Sequence, residues 1–290
     1  VVGNITAGGS GKTPLVIRLC EIATEMGISA GVATTGYGRQ STETLVVGAD
    51  SDPRDCGDEP VLLAERTGLP VVVARRRAEA VVKLQEMSLD LIISDDGLQH
   101  ADLDPDIEIC VIDGARGLGN GHLIPAGPLR EPAGRIGQVD YVITNGVWSE
   151  QPEDLVVSIM QLWADKVCSL DNKTVISAEE FRQTYSGIKI HAIAGIGNPL
   201  RFFQTLDDQG IAAGSHVFPD HHFFSPDDFC SIPAGAAIIM TQKDAVKCRS
   251  LGLANAWYLP VDAKLPAVFE TRFKDQLVKL MEKASVPSRK

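Results

Sequence analysis

Short apolar runs alternate with amphipathic helical segments through the first half of the chain. The runs lie at residues 28–33, 71–74, 89–93, 107–112 and 139–144. Residues 15–26 carry apolar side chains at helical spacing, and this segment stops at Gly27, a residue suited to the turn that follows a helix. Continuous apolar strands separated by helices are typical of a parallel sheet covered on both faces. The pattern predicts a doubly wound, mostly parallel α/β domain over residues 1–147.

A second and smaller α/β pattern follows in the last third of the chain. It predicts strands at 189–194, 216–218 and 237–241, and helices near 199–209 and 267–284. Between the two patterns, residues 156–160 and 167–170 are expected to pair as a small connecting sheet. We therefore predict a smaller α/β domain at 188–290, joined to the first domain by a linker at 148–187.

The composition narrows the classes of function. The chain has 27 Lys and Arg against 38 Asp and Glu, a net charge of −11, which disfavours binding to a nucleic-acid backbone. Its 6 cysteines are scattered and include no Cys-x-x-Cys pair, as in proteins of reducing compartments. No apolar run reaches the ~18–20 residues needed to cross a bilayer. Nothing in the sequence indicates an oligomer.

A glycine-rich loop stands between the first strand and the first helix. It consists of Thr6, Ala7, Gly8, Gly9, Ser10, Gly11, Lys12 and Thr13. Its glycines allow backbone N–H groups to converge on phosphate oxygens at a helix N-terminus. In such a P-loop the lysine reaches the β- and γ-phosphates, and the hydroxyl of the last residue binds Mg²⁺. The loop predicts a P-loop NTPase-type domain that binds a nucleoside triphosphate.

Several acids and histidines are candidate functional residues, and each of them also has a purely structural interpretation. Asp95 and Asp96 follow a buried strand, where they would hold Mg²⁺ or form a plain turn. Asp58 and its neighbouring glutamate precede a short apolar helix, and the local pattern favours acids in a first helical turn. The pair His221 and His222 lies among aromatic residues, either at the rim of a core or as ligands, although two histidines are too few for a closed zinc site.

Two further segments that contain cations are less specific indicators of function. The run 75–77 is three arginines in an acidic protein, and either forms a solvated face or grips an anionic group. Lys243 and Asp244 follow a strand as in the guanine-recognition box of GTPases, but the two residues are adjacent here, whereas the box has a residue between them. A GTPase is therefore disfavoured.

Six motifs occur in order along the chain, and together they are specific for a family, although each motif alone would be weak evidence. They are residues 2–14 with the P-loop, Gly36-Tyr37-Gly38, Gly57-Asp58-Glu59-Pro60, residues 95–100, residues 123–131 and residues 243–247. In these motifs the chain resembles the tetraacyldisaccharide 4′-kinase family over essentially its whole length. Thr35 and Gln242 depart from the residues common in that family, which are arginine and glutamate.

The resemblance implies a function and a place of action. The family transfers the γ-phosphate of ATP, with Mg²⁺, to the 4′-hydroxyl of a tetraacyldisaccharide 1-phosphate and so forms the lipid A precursor lipid IVA. It works at the cytoplasmic face of the bacterial inner membrane, and its partners are the acylated disaccharide phosphate lipid and the membrane surface. The resemblance also implies a hydrophobic anchor ahead of Val1 that is absent from this sequence.

The resemblance assigns roles residue by residue. It implies that Asp58 is the catalytic base, that His221 orients it, and that Lys12 acts on the γ-phosphate. The implied metal ligands are Thr13, Asp95, Asp96 and Glu131, and the implied substrate contacts are Arg77, Tyr37 and His100. Since Asp58 and His221 fall in different predicted domains, their pairing requires the cleft between the domains to close.

Two rival functions make different predictions. A P-loop kinase for a soluble sugar or metabolite would act equally well on a deacylated disaccharide. A nucleotide-switched binding module, such as a metallochaperone, would hydrolyse ATP steadily without lipid and would carry a Cys/His metal motif or a guanine box. The sequence contains neither of these motifs.

Overall fold

A computed structural model of the chain describes residues 1–285. Its α-helices are α1 Lys12–Glu25, α2 Pro53–Cys56, α3 Asp58–Thr67, α4 Arg77–Gln85, α5 Ala178–Thr184, α6 Pro199–Asp208, α7 Gln242–Cys248 and α8 Ala267–Ser285. Its strands are β1 Val2–Gly3, β2 Ala30–Thr34, β3 Leu45–Val47, β4 Val71–Val73, β5 Leu91–Ser94, β6 Ile109–Asp113, β7 Tyr141–Asn145, β8 Val157–Trp163, β9 Lys166–Ser169, β10 Val175–Ser177, β11 Ile190–Ala194, β12 Gly214–Val217, β13 Ala237–Thr241, β14 Ala256–Leu259 and β15 Asp262–Lys264.

The strands of the first half form two hydrogen-bonded groups that meet at β1. One group has the order β3-β4-β2-β5 and the other β1-β6-β7-β8-β15, and a parallel bridge between Val2 and Asp95 joins β5 to β1. All neighbours pair in parallel except the edge strands β3 and β15, which are antiparallel. The predicted mostly parallel sheet is therefore present. Because the central strands are parallel, the carboxyl ends of β1, β5, β6 and β7 lie along one edge, where α/β folds bind ligands.

The second sheet has six strands in the order β10-β9-β14-β13-β11-β12. Its centre, from β14 to β12, is parallel, and the β9–β10 hairpin extends it in antiparallel fashion. An apolar core that includes Phe181, Leu206 and Ile239 covers one face, and a second core with Phe224 and Met240 covers the other. This agrees with the predicted smaller α/β pattern.

The predicted small connecting sheet is wrong. β8 pairs with β7 and β15 in the first sheet, whereas β9 pairs with β10 and β14 in the second. Only two residues separate β8 from β9, a spacing that resembles a hairpin in the sequence. Each strand instead joins a different large sheet, because a strand is stabilised more by burial on a large sheet than in a two-stranded ribbon, which is marginally stable in water.

The end of the described chain returns to the first sheet. β15 pairs with β8, and Phe269, Phe273 and Leu277 of α8 are buried in the same core as Leu15 of α1. This segment lies within the predicted smaller domain, and the division of the chain into domains stays a prediction. No helix among residues 1–285 has the length and apolar character that a membrane span requires.

Candidate active site

The P-loop is a turn between β1 and α1 with two glycines in the left-handed region. Gly8 and Gly11 both have a φ of 93°, a conformation that residues with a Cβ rarely adopt. Gly8 and Gly9 are exposed, and α1 begins at Lys12. The exposed backbone N–H groups of the loop therefore stand at the positive end of a helix, as phosphate binding requires.

Buried asparagines hold this loop from both sides. Asn4 is fully buried, and its amide donates to the carbonyl oxygen of Thr6 at 2.6 Å. Its Oδ1 accepts a hydrogen bond from Lys12 Nζ at 3.1 Å. On the other side, Asn145 at the end of β7 donates to the carbonyl oxygen of Ser10 at 3.2 Å. These side chains fix the loop carbonyls, so that the N–H groups remain directed outward.

Arginines from outside the loop extend this support. Arg116, in the loop after β6, donates to the carbonyl oxygen of Gly9 at 2.6 Å. Arg201 of α6 donates to Asn145 Oδ1 at 2.9 Å and to Asp113 Oδ2 at 3.4 Å. A helix of the second sheet thus contacts the asparagine that supports the P-loop.

The acidic pair lies at the end of β5, next to the loop. Asp95 is 2% exposed, and its Oδ1 has no hydrogen-bond partner within residues 1–285. Burial, followed by the charge of Glu59, raises the pKa of Asp95 to about 6 against the opposing charge of Lys12. Asp96 has a φ of 55° and contacts Lys12 at 3.4 Å and Arg130 at 3.1 Å. These two cations outweigh the effect of burial and lower the pKa of Asp96.

The implied Mg²⁺ ligands fit the ion to different degrees. Thr13 lies in the first turn of α1, and the unpaired oxygen of Asp95 is the kind of buried acceptor that a cation would satisfy. Asp96 is engaged by lysine and arginine, and Glu131 accepts from Gln99 at 2.5 Å. No group of three or more His, Cys, Asp or Glu with metal-binding geometry occurs in the described part of the chain. Thr13 and Asp95 are therefore the pair that suits Mg²⁺ best.

Asp58 and His221 are in contact. Asp58 is the first residue of α3, and its Oδ1 accepts from the backbone N–H of Glu59 at 2.8 Å. His221 lies in the loop after β12, and its Nδ1 is 3.0 Å from Asp58 Oδ2 and 3.2 Å from Oδ1. A carboxylate only accepts hydrogen bonds, so His221 donates from Nδ1. The contact joins residues 163 positions apart in the chain.

The electrostatics of this dyad favour an ionised aspartate. Burial alone would raise the pKa of Asp58, but the hydrogen bond from His221 and the charge of Lys243 outweigh it, and the pKa is lowered. The same hydrogen bond raises the pKa of His221, in spite of the partial burial of the ring. Asp58 is buried, and the His221 side chain is 23% exposed. The arrangement therefore places a desolvated carboxylate beside an imidazole that is partly accessible to solvent.

The three implied substrate contacts have different surroundings. Tyr37 is 75% exposed, and its ring centroid lies 5.0 Å from that of His221. His100 lines a cavity of about 430 Å³ together with Gln99 and Glu131. Arg77 departs from the expectation because it is 1% exposed and donates to the carbonyl oxygens of Ala33 and Asp96. Its guanidinium supports the turn that carries the acidic pair rather than facing the open side of the site, and its contact with a substrate stays a prediction.

Sequence reasoning missed the residues that support the site. Asn145 and Asp113 end buried strands, a position that signals function in a parallel sheet, and that signal could have identified them. Arg201 carries no local signal, since it lies within a helix that looks like any amphipathic helix. Lys247 belongs to the motif at residues 243–247, but the sequence assigned it no role.

Comparison with known families matches residues 1–279 to one family, described as tetraacyldisaccharide-1-P 4′-kinase (LpxK). A tetraacyldisaccharide 4′-kinase of Alcanivorax borkumensis is 46% identical over 92% of this chain and 80% of its own length. That of Shewanella amazonensis is 44% identical over 96% of this chain and 81% of its own length.

A solved structure is similar over almost the whole chain. It is a crystal structure of LpxK from Aquifex aeolicus, described as an "apo" form in complex with ATP. It has a TM-score of 0.78 and 26% sequence identity, and the match covers 97% of this chain and 87% of that one. The similarity confirms the predicted α/β fold of P-loop NTPase type.

Proposed function

This chain belongs to the tetraacyldisaccharide-1-P 4′-kinase family, and we propose that it transfers the γ-phosphate of ATP to the 4′-hydroxyl of a tetraacyldisaccharide 1-phosphate. The observation that carries the proposal is the 3.0 Å contact between His221 and Asp58 beside a P-loop. It supplies a desolvated proton acceptor next to a phosphate-binding loop, and phosphoryl transfer to an alcohol needs both.

In the proposed reaction the P-loop and Lys12 hold the triphosphate. The N–H groups of the loop bind phosphate oxygens, and the Lys12 ammonium neutralises charge that develops on the γ-phosphoryl group. Mg²⁺, when bound with ATP, adds positive charge at the β- and γ-phosphates, and Thr13 and Asp95 are the residues that would hold it. ATP and Mg²⁺ are thus the proposed nucleotide substrate and cofactor.

Asp58 accepts the proton of the attacking hydroxyl. Its lowered pKa keeps the carboxylate ionised at neutral pH, so the acceptor is available when the lipid binds. His221 donates to this carboxylate from Nδ1 and fixes its orientation. The exposed ring of Tyr37 beside His221 and the cavity at His100 are proposed to contact the disaccharide.

The division of labour between the two sheets follows from the dyad. We propose that residues 1–147 bind the nucleotide, that 148–187 link the units, and that 188–290 bring His221 to the cleft. Two segments are exceptions, because β8 of the linker pairs with β7 and β15–α8 packs on the same nucleotide-binding sheet. The linker strands β9 and β10 belong to the second sheet. We propose that the contact between Asp58 and His221 marks the closed form of this cleft.

The proposed acceptor places the reaction at a membrane. Each buried methylene of an acyl chain contributes about 0.8 kcal/mol to membrane binding, so a disaccharide with four acyl chains resides in the bilayer. ATP is present on the cytoplasmic side, and we propose that the enzyme acts at the cytoplasmic face of the inner membrane.

A phosphate-transfer assay tests the proposal. The purified protein is incubated with γ-labelled ATP and Mg²⁺, and with the acylated disaccharide 1-phosphate, its deacylated form or no acceptor. We expect label on the acylated disaccharide and little ATP hydrolysis without it. Equal transfer to the deacylated form would favour a kinase for soluble sugars, and steady hydrolysis without an acceptor would favour a nucleotide-switched module.

A further inference from the structure

We propose that Lys247 is a positioning residue for Asp58 and that Asp244 anchors this lysine. The inference rests on the proposed function, in which Asp58 accepts the proton of the attacking hydroxyl. It assigns a role to a buried ion network in contact with Asp58.

Helix α7 presents two lysines to the first turn of α3. Lys243 and Lys247 are four residues apart and therefore share one face of α7. Lys243 forms an ion pair with Glu59, and Lys247 Nζ lies 3.8 Å from Asp58 Oδ2. Each of the two acids that begin α3 thus faces one lysine of the second sheet's helix.

Lys247 is buried among carboxylates and an aromatic ring. Its side chain is 3% exposed, and its Nζ lies 2.9 Å from Asp244 Oδ1 and 5.2 Å from the centroid of the Phe224 ring. A buried ammonium is stable only when it is paired, and here Asp244 and Asp58 are the carboxylates within reach. The lysine is therefore confined between them.

Asp244 is a fixed anchor for this lysine. It is fully buried, and its Oδ2 accepts from the backbone N–H of Gly195 at 3.0 Å and from the Thr241 hydroxyl at 2.6 Å. Thr241 in turn caps α7 by accepting from the backbone N–H of Asp244. A rigid path thus runs from the end of β11 through Asp244 and Lys247 to the carboxylate of Asp58.

The position of Lys247 contributes to both the orientation and the ionisation of Asp58. A cation within about 4–6 Å of a carboxylate favours its charged form by roughly one to three pKa units. Lys247 is one of the groups that lower the pKa of Asp58 against burial, after His221 and Lys243. The charged or titratable groups that face this cluster are His221, Lys243, Lys247, Glu59, Asp244 and Asp220.

The test is the pH dependence of phosphate transfer in Lys247→Met, Lys247→Arg and the double variant Lys247→Met/Asp244→Asn. The double variant removes the buried charge that the single variant would leave on Asp244. Lys279→Met, a change at an exposed lysine of α8, is the matched control. Rates are measured with the acylated disaccharide 1-phosphate, together with the KM for ATP and the melting temperature.

The proposal predicts that the acid limb of the kcat profile moves up by about one pH unit in the neutral variants. At a pH on that limb kcat falls about tenfold, whereas the KM for ATP stays constant and Lys247→Arg restores most of the rate. An unchanged profile with a lower melting temperature would overturn the proposal, as would failure of both neutral variants to fold. A wild-type protein that transfers no phosphate would instead contradict the proposed function.

Discussion

Replacement of His221 gives the sharpest prediction about the dyad. The hydrogen bond from Nδ1 to the Asp58 carboxylate, at 3.0 Å, is the link between the two residues. A hydrogen bond to a charged group contributes about 1.5–3 kcal/mol, and its full loss in the transition state corresponds to a roughly 10- to 150-fold lower rate. We therefore expect His221→Ala to reduce kcat by about this factor and to leave the KM for ATP unchanged, because the ring makes no contact with the P-loop among the described interactions.

The backbone of His221 calls for a second variant. Its φ of 57° lies in the left-handed region, which alanine occupies at a cost of about 1–2 kcal/mol and asparagine tolerates. His221→Asn keeps this backbone and offers an amide donor near the position of Nδ1. We expect it to retain more activity than His221→Ala. The matched control is His222→Ala, since His222 contacts Asp228 at 3.2 Å instead of Asp58.

The assay is steady-state transfer of labelled phosphate, with thermal unfolding measured in parallel from pH 4 to 8. The raised pKa of His221 means that its contribution to stability is present below its ordinary value of about 6.5 and is lost as the pH rises through the raised value. The lowered pKa of Asp58 means that its contribution is lost as the pH falls through that lowered value. The difference in melting temperature between wild type and His221→Asn should therefore shrink toward pH 8. Wild-type kcat in His221→Ala would refute the reasoning.

Two further predictions concern the P-loop. Gly11→Ala places a Cβ 2.7 Å from Asn145 Nδ2 at a φ of 93°. The resulting strain of about 1–3 kcal/mol should raise the KM for ATP at least severalfold. The control Gly134→Ala, whose Cβ meets nothing within 4 Å, should leave the KM unchanged, and equal KM values in the two variants would contradict this prediction. Arg201→Met removes the hydrogen bonds to Asn145 and Asp113. Because the arginine side chain is 41% exposed, we expect the KM for ATP to rise by only about two- to tenfold. An unchanged KM would show that the second sheet does not support the loop.

Local chemistry made the P-loop predictable from the sequence. Its glycines, lysine and threonine are consecutive, and the strand before and helix after it have their own apolar patterns. Most strands and helices were found for the same reason, with bounds that differ by a few residues. The interpretation of Asp58 was different: its local pattern favoured a first-turn acid, which it also is, and only the resemblance paired it with a histidine 163 positions away.

Long-range pairing explains what the sequence did not reveal. The hairpin expected from β8 and β9 fails because each strand finds a longer sheet edge elsewhere. The burial of Arg77 could not be read from three consecutive arginines, since the fold turns this one toward Ala33 and Asp96 and leaves its two neighbours exposed. The ion pairs that engage Asp96 depend on Arg130, which a distant loop supplies.

The central claim is that Asp58 takes the proton of an alcohol while the P-loop presents the γ-phosphate. The most direct measurement is phosphate transfer from labelled ATP to the acylated disaccharide 1-phosphate by wild type and Asp58→Asn, with ATP binding followed by calorimetry. The isosteric amide keeps the volume of the side chain and removes the proton acceptor. We predict that kcat falls by about 10²- to 10⁴-fold while the affinity for ATP is retained. Transfer by Asp58→Asn at the wild-type rate would contradict the account.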